Sequence, residues 1–227
     1  MLSKEVFIDQ NALIDGVMNS LLQLVAQTLG TKESFHLALT GGDVGGKISA
    51  RLALKINEDS ESYKGLHIWW SDERFLPRES AERNCYPFLA VLETETYVHV
   101  HEVFAAESNL EVQAAASRYN VDSFGIAMDL TLLSVGVDGH VASLFPQLWN
   151  SICVDGVIPI LNSPKPPSQR ISFSLAKINA SERVWLFASG IHKREIISRM
   201  VIQDKSIPAS FVHGKSETRL FTDLQSD

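Results

Sequence analysis

The sequence predicts an α/β protein with a Rossmann-like, mostly parallel sheet and helices on both faces, and it leaves room for a small additional lobe. Short apolar runs with the length and β-branched content of buried strands alternate along the chain with segments of helical periodicity. Such alternation produces βαβ units, whose crossovers cover a parallel sheet with helices. The composition, 45% hydrophobic and 21% charged in 227 residues, is that of an ordinary globular protein. We expect one compact domain over residues 1–227.

The first half of the chain supplies three strands and two helices. The first helix begins after Asn11 as N-cap and ends before Gly30, and the second covers residues 48–56. The first helix places apolar residues at helical spacing, namely Leu13, Ile14, Val17, Leu21, Leu22, Val25 and Leu29. The strands are expected at residues 6–8, Phe35–Leu39 and Leu66–Trp70.

The second half continues the alternation. Helices are expected over residues 112–119 and 193–201, and strands over Leu130–Ser134 and residues 184–188. The proline-rich segment 162–168 is incompatible with regular helix or central strand. Because this segment is short and is flanked by basic residues, we interpret it as a rigid active-site loop rather than a linker.

Charge and composition exclude several classes of function. A formal net charge of −7 argues against general nucleic-acid binding, which depends on a basic surface. It leaves a small anionic substrate open, because local basic residues set the field in a pocket. The start of the chain lacks the pattern of a signal peptide, and no window reaches the roughly 20 apolar residues of a membrane span. We therefore expect a cytoplasmic monomer, with Cys85 and Cys153 as reduced thiols.

The first candidate site is Asp138-Gly-His140, which directly follows the predicted strand Leu130–Ser134. In open α/β sheets, ligands bind at the carboxyl ends of the strands. An imidazole has an ordinary pKa of about 6.5, which suits it to transfer protons near neutrality. A carboxylate two residues away can orient it. This pair is the most informative feature of the chain, and we expect His140 and Asp138 to be catalytic.

The second candidate site is the glycine-rich loop at residues 39–47, between a predicted strand and a predicted helix. Its backbone N–H groups, with Thr40, Gly41 and Gly42 first in line, can hold a phosphate at a helix N-terminus. Two named motifs match it poorly. A P-loop requires Ser or Thr where this chain has Ile48, and the glycine spacing differs from the dinucleotide-binding pattern. Asp43 in this loop would repel a phosphate.

Two basic segments complete the set. In Asp72-Glu-Arg74, the arginine can bind a phosphate or carboxylate in bidentate fashion, and either acid can orient it. A structural ion pair is the alternative. In the proline-rich loop, Lys165 and Arg170 can point two cations toward one anion at a low entropic cost. A solvated basic loop is the alternative there.

The histidines elsewhere carry less information. His99 and His101 would lie on one face of a strand, so that a metal pair is conceivable, although no third ligand is evident and exposed edge-strand histidines explain them as well. His36, His67, His192 and His213 show no pattern. We assign no metal site.

Taken in order, these segments resemble the 6-phosphogluconolactonase family, the hydrolases that act second in the oxidative pentose phosphate pathway. The resemblance runs from about residue 6 to residue 223. The matching elements are the Gly41-Gly42 loop, Asp72-Glu-Arg74 followed by Asn84, Gly136-x-Asp-Gly-His-x-Ala-Ser-Leu-Phe-Pro146 and Ser163-Pro-Lys-Pro-Pro-x-x-Arg170, with weaker matches at Gly190-x-x-Lys193 and Ile207-Pro-Ala-Ser210.

The resemblance implies hydrolysis of 6-phospho-D-glucono-1,5-lactone on a fold shared with amino-sugar-phosphate isomerases, without an organic cofactor. It implies His140 as the proton-transfer residue and Arg74, Lys165 and Arg170 as the basic pocket for the phosphate. We expect Thr40, Gly41, Gly42 and Asp72 to bind the substrate together with these three. In the mechanism we infer, His140 takes a proton from the water attacking C1 and returns it to the ring oxygen, with Asp138 in support. Glycine-loop amides or a basic side chain would stabilise the oxyanion.

The chain departs from the family pattern in two places. The family commonly reads Ser-Gly-Gly-Ser-Thr-Pro where this chain has residues 40–45, so Asp43 and Val44 cannot make the usual hydroxyl contacts. Arg83 stands where Ser often precedes the asparagine.

Three other functions remain open. An amino-sugar-6-phosphate deaminase or isomerase on the same fold typically carries Ala-Phe-Asn-Glu-Pro after Asp-Gly-His, and this chain has no carboxylate in residues 141–146, which favours the lactonase. A non-catalytic sugar-phosphate sensor is suggested by the altered loop around Asp43. A nucleotide-hydrolysing P-loop protein ranks third because of Ile48.

Overall fold

The chain folds around two sheets in the computed structural model, which describes residues 2–106, 110–149 and 155–224. The strands are β1 (Leu2–Val6), β2 (Phe35–Leu39), β3 (Leu66–Trp70), β4 (Asp72–Arg74), β5 (His99–Val100), β6 (Leu130–Ser134), β7 (Val157–Ile160), β8 (Arg170–Phe173), β9 (Arg183–Ala188) and β10 (Glu217–Thr222). The α-helices are α1 (Gln10–Leu29), α2 (Gly42–Glu58), α3 (Tyr86–Leu89), α4 (Val112–Asp122), α5 (Leu175–Asn179) and α6 (Arg194–Val201). Short 3-10 helices lie at Ser60–Tyr63, Ile191–Lys193 and Pro208–Phe211.

The large sheet has seven strands in the order β1-β10-β9-β6-β2-β3-β5, and every neighbouring pair is parallel. Four consecutive residues of β6 are buried, although successive side chains point to opposite faces of a sheet. Both faces of the sheet are therefore covered, as a parallel sheet requires. The predicted α/β fold class is confirmed.

A second, three-stranded antiparallel sheet in the order β4-β8-β7 is the additional element for which the sequence left room. Its apolar residues, such as Ile158 and Phe173, belong to the same cluster of buried hydrophobic side chains as the large sheet. This shared core supports a single domain over residues 1–227, which stays a prediction.

The central strands follow the sequence prediction, because local apolar runs define buried strands. Strands β2, β3 and β6 have the predicted bounds. Helix α4 extends three residues beyond the predicted residue 119, and α6 begins at Arg194 after a 3-10 turn.

The N-terminal boundary is wrong in the sequence prediction. The first strand ends at Val6, where its register against β10 places Val6 opposite Thr222, and Ile8 is 89% exposed. The cap of α1 is Asp9 rather than Asn11, because its carboxylate accepts the Ala12 N–H at 2.8 Å. Gly30 ends the helix as predicted.

Two further observations concern membrane-spanning helices and the cysteines. Among the described residues, no helix is both long and apolar enough to cross a membrane. Cys85 is buried with a free thiol, and Cys153 lies outside the described residues.

Two of the histidines that showed no pattern in the sequence, His36 and His67, form a cluster with His99 and His101 near the β5 edge of the large sheet. The strand register places His36 opposite His67 and His67 opposite His99, with ring centroids 4.4 Å apart in both pairs. His101 joins them, because its Nε2 lies 3.0 Å from Nδ1 of His67. In the described parts of the chain, no three His, Cys, Asp or Glu side chains are arranged to hold a metal ion.

This histidine cluster predicts acid sensitivity. Burial, together with the neighbouring His36, His99 and His101, lowers the pKa of His67 from its ordinary 6.5 to about 4. The unfolded chain therefore takes up a proton before the folded one does, and stability is lost as the pH falls from about 6.5 toward 4. Since the rings are partly solvated, we expect His67 to cost about 1 kcal/mol of unfolding free energy between pH 7 and pH 5.

Urea unfolding of the native protein and of His67→Gln at both pH values measures this loss. The variant should lose less stability on acidification than the native protein, whereas the exposed His213→Gln should behave like the native protein. Equal pH dependence in all three proteins would contradict the prediction. Two acidic residues act in the opposite direction on this cluster. The charge of Asp129 opposes the lowering of the His36 pKa that burial causes, and the charge of Asp122 opposes that of the His101 pKa.

Candidate active site

The predicted site residues converge at the carboxyl ends of β2, β3 and β6. One cavity there is lined by Thr40, Gly41, Gly42, Asp72, Arg74, Asn84, Ser134, His140, Ala142 and Arg170. A second, adjoining cavity shares Gly42, Ser134 and His140 with the first and reaches Lys165 and Lys193. Parallel strands place their carboxyl ends on one edge, which explains why segments distant in sequence meet here.

His140 and Asp138 form a hydrogen-bonded pair at the end of β6. Nδ1 of His140 lies 2.5 Å from Oδ1 of Asp138. Burial favours the neutral carboxylic acid, but the hydrogen bond to His140 and the charge of Lys165 outweigh it and lower the pKa of Asp138. The ionised carboxylate therefore accepts a hydrogen bond from the N–H at Nδ1, and the lone pair of the imidazole is on Nε2.

The backbone from Gly136 to Ser143 adopts a conformation that leaves room for the His140 imidazole. A Cβ atom on Gly136 would come within 1.9 Å of Nδ1 of His140, so that only glycine leaves room for the imidazole. The Gly136 N–H donates to the His140 carbonyl at 2.8 Å, which closes the turn. Ala142 has a φ of 49°, a left-handed conformation that is costly for a residue with a Cβ. Ser143 fixes this conformation, because its N–H donates to Oγ of Ser172 at 3.2 Å.

Lys165 lies beside the pair rather than with the two arginines. Its Nζ is 3.3 Å from both Oδ1 of Asp138 and Nδ1 of His140. Its side chain is 42% exposed, so the ammonium group can move toward a ligand. The sequence prediction that Lys165 and Arg170 point two cations at one anion stays a prediction.

Arg74 and Arg170 face each other across the small sheet. They are directly opposite in the antiparallel register of β4 and β8, and both line the first cavity. Like charges in this position repel each other. Burial lowers the pKa of Arg170; the charge of Asp72 opposes that effect and the charge of Arg74 adds to it. An anion bound between the two guanidinium groups would relieve the repulsion.

Arg170 also holds the proline-rich loop in place. Its Nε donates to the Pro167 carbonyl at 3.2 Å, and its Nη2 donates to the Pro166 carbonyl at 2.9 Å and the Lys165 carbonyl at 3.2 Å. Oγ of Ser163 donates to the Lys165 carbonyl at 2.8 Å from the other side. These contacts make the segment an ordered loop, as predicted, and not a linker.

The glycine-rich loop is shorter than predicted, because α2 begins at Gly42 rather than at residue 48. Gly45, Gly46 and Lys47 are therefore helical, which excludes the P-loop interpretation of this segment. Within the described residues no side chain caps this helix, and its cap residue Gly41 and first residue Gly42 both line the first cavity. This is the N-terminal arrangement that binds anions.

Comparisons with known proteins assign the family. Residues 8–221 match the family model described as glucosamine-6-phosphate isomerases/6-phosphogluconolactonase. The chain belongs to this family. A 6-phosphogluconolactonase of Streptomyces coelicolor is 31% identical over 92% of this chain and 87% of its own length. A 6-phosphogluconolactonase of Mycobacterium leprae is 28% identical over 99% of this chain and 96% of its own length.

Solved structures support the fold. The crystal structure of a 6-phosphogluconolactonase from Thermotoga maritima has a TM-score of 0.82 at 24% identity and covers 98% of this chain, with 99% of its own chain covered. A monomeric glucosamine-6-phosphate deaminase has a TM-score of 0.73 at 18% identity over 97% of this chain and 96% of its own.

Asp43, the first departure from the family pattern, forms an ion pair at the surface. Asp43 lies in the first turn of α2 and is 65% exposed, and its carboxylate accepts from Nζ of Lys47 at 2.9 Å. It lines the second cavity and not the one that holds the arginines. The ion pair neutralises much of the charge that the sequence suggested would repel a phosphate.

The second departure, Arg83, is part of a buried framework. Its guanidinium group is fully buried within 3.7 Å of the Glu73 carboxylate, and it donates to the Val103 carbonyl at 2.5 Å. Glu73 accepts the backbone N–H groups of Asn84 at 2.6 Å and Cys85 at 3.0 Å. Glu73 therefore fixes the loop beside the cavity and also accepts the backbone N–H of Arg74 at 2.7 Å, while the Arg74 guanidinium group donates to the Glu82 carbonyl at 2.7 Å.

Asp72 lines the first cavity, and its part in substrate binding stays a prediction. Its carboxylate is buried and accepts from Nδ2 of Asn84 at 3.0 Å and from Oγ of Ser143 at 2.7 Å. A Cβ atom on Gly41 would come within 1.9 Å of Oδ1 of Asn84, which explains the glycine at that position. Asp72 thus connects the glycine loop with the turn that carries His140.

Asn84, Ala142 and Lys193 lie in segments that match the family, but no role could be assigned to them from the sequence, and Ser134 was predicted only as the end of a strand. Lys193 donates from Nζ to the Val135 carbonyl and lines the second cavity. The Ala209 N–H donates to the Gly139 carbonyl at 3.1 Å, so the weak match at residues 207–210 supports the His140 turn. Only their position in short segments that match the family pattern could have indicated Asn84, Ala142 and Lys193, since no local sequence pattern distinguishes them.

Proposed function

We propose that this protein hydrolyses 6-phospho-D-glucono-1,5-lactone to 6-phospho-D-gluconate, the lactonase reaction of the oxidative pentose phosphate pathway. One observation carries the proposal. An imidazole whose Nδ1 is held by a carboxylate lines the same cavity as two arginines at directly opposite positions of neighbouring strands. The cavity thus combines a proton-transfer group with a site for a dianion, which matches a phosphorylated, neutral lactone ring.

The phosphate would be held at the arginine end of the cavity. Arg74 and Arg170 can each donate to phosphate oxygens, and the first N–H groups of α2 add the partial positive charge of the helix N-terminus. Lys165 is exposed enough to approach the same ligand. With the phosphate fixed there, the lactone end of the substrate extends toward His140.

The chemistry requires little beyond positioning and proton transfer, because a δ-lactone is an activated ester. Nε2 of His140 takes a proton from a water molecule as that water attacks C1. The imidazolium then gives the proton to the ring oxygen as the C1–O5 bond breaks, so that the histidine returns to its neutral form. Asp138 holds the tautomer and stabilises the imidazolium, a supporting role without covalent bond formation.

The oxyanion that forms at C1 needs a hydrogen-bond donor or a positive charge nearby. The candidates next to His140 are the backbone N–H groups around Gly42 and the ammonium group of Lys165. General acid–base assistance of this kind contributes about 10²–10⁴-fold to the rate. No metal ion or organic cofactor takes part in the steps we propose, and a phosphosugar lactone is the one ligand they need.

The decisive experiment is an assay of freshly prepared 6-phosphogluconolactone by pH-stat or by coupled oxidation of the product. The rate must be corrected for spontaneous hydrolysis of the lactone. We expect hydrolysis well above this background, and a much lower kcat/KM for unphosphorylated gluconolactone. A rate equal to the background would refute the proposal.

The same preparation tests the two rival functions. Release of ammonia from glucosamine 6-phosphate would identify a deaminase. Binding of 6-phosphogluconate without any acceleration of lactone hydrolysis would identify a sensor. Neither rival has a specific structural observation in its favour, since Asp43, which suggested the sensor, is paired with Lys47.

A further inference from the structure

One buried phenylalanine contacts the proposed proton-transfer residue and both basic residues of the proline-rich loop. The ring of Phe145 is fully buried, and its centroid lies 4.7 Å from that of His140 with 29° between the ring planes. Nζ of Lys165 lies 5.9 Å from the Phe145 centroid, and Cζ of Arg170 lies 5.6 Å from it. These distances are within the range of cation–π attraction.

The hydrogen bond to Asp138 alone does not fix the imidazole of His140. A single contact at Nδ1 determines one point of the ring, and the ring plane can still turn about it. A phenyl ring stacked on the imidazole restricts that rotation and so determines where Nε2 points. The backbone of Phe145 is itself held, because its carbonyl accepts the N–H groups of Leu148 and Trp149 at 2.9 Å.

We propose that Phe145 is a positioning residue for the reaction, and this inference rests on the function proposed above. Its ring sets the orientation of His140 and, through the two cations around it, couples that orientation to the position of the phosphate-binding loop. Phe145 has no titratable group and takes no part in bond making. Its effect on the rate comes through Nε2 of His140, and its effect on affinity comes through Lys165 and Arg170.

The test must separate this role from ordinary core packing. Phe145→Leu removes the aromatic face and keeps most of the apolar contact. Phe221→Leu is the matched control, since Phe221 is also fully buried with a guanidinium group, that of Arg219, 4.6 Å from its centroid, and it lines neither cavity. Phe145→Tyr retains the ring face and serves as the conservative variant.

Steady-state kinetics give the first measurement, with thermal unfolding recorded for each variant. We expect Phe145→Leu to lower kcat about 10-fold or more, because small displacements of a catalytic group are costly. We expect its KM to rise about 2- to 5-fold, the equivalent of one cation–π contact. Phe221→Leu should stay within about twofold of the native protein in both parameters, and Phe145→Tyr should recover most of kcat.

Nuclear magnetic resonance gives a measurement that does not depend on activity. In protein labelled at histidine, the resonances of His140 are identified by their loss in His140→Gln. We expect the ring protons of His140 to carry a ring-current shift that disappears in Phe145→Leu and persists in Phe221→Leu. If the native protein shows no lactonase activity, the proposed function fails while this measurement still decides the positioning role.

Two results would overturn the inference. One is an unchanged His140 resonance in Phe145→Leu. The other is a loss of kcat in Phe145→Leu no greater than that in Phe221→Leu. If Phe145→Leu does not fold, Phe145→Met and Phe145→Tyr allow the same comparison, with Met expected to lose the shift and Tyr to keep it.

Discussion

Replacing His140 with alanine is expected to lower kcat at least about 100-fold, the lower bound for the loss of general acid–base catalysis. The structure gives the reason. Nδ1 of His140 is held by Asp138, and the ring lines the cavity, so Nε2 is the group placed to accept a proton from water. Binding of the product 6-phosphogluconate, measured by calorimetry, should change by no more than a few-fold, because the arginines remain.

Two further variants make this result specific. Asp138→Asn should also lower kcat, since an amide neither stabilises the imidazolium nor selects the tautomer with the lone pair on Nε2. His213→Ala, at an exposed position outside both active-site cavities, should leave kcat unchanged. A near-normal kcat for His140→Ala, after correction for spontaneous hydrolysis, would remove this residue from the mechanism.

The second large effect is expected for Arg74→Ala and Arg170→Ala, which should raise KM about 10- to 150-fold. This range corresponds to the about 1.5–3 kcal/mol of a hydrogen bond to a charged group. Arg74→Ala is the cleaner variant. Arg170 also donates to carbonyl groups of the proline-rich loop, so its replacement should lower kcat as well.

Because Arg74 and Arg170 face each other, the melting temperature provides a second measurement for this prediction. Without a ligand, Arg74→Ala relieves the repulsion across β4 and β8, so the Tm of the free protein should not fall. The rise in Tm on adding inorganic phosphate should be large in the native protein and small in the variant. Arg78→Ala is the control, because Arg78 is exposed, follows β4 shortly after Arg74 and pairs with Glu102. If neither KM nor the phosphate response changes, the phosphate site lies elsewhere.

The difference between the site predicted from the sequence and the site observed follows one rule. Residues in a short segment were placed correctly when the segment determined its own conformation. The turn from Gly136 to His140 is an example, because its glycine and its carboxylate act within five residues. The partners of Asp72, Glu73 and Arg74 could not be predicted, because all three bond to residues brought in by other parts of the chain.

The sequence by itself determined the α/β class, the central strands and the Asp138–His140 pair, since apolar periodicity and turn chemistry are local properties. Tertiary structure alone decided that Arg74 faces Arg170, that His36, His67 and His99 stand side by side, and that α2 begins at Gly42. The physical reason is that strand register and the path of the connections set these contacts. Both depend on the packing of the whole core, which no single segment encodes.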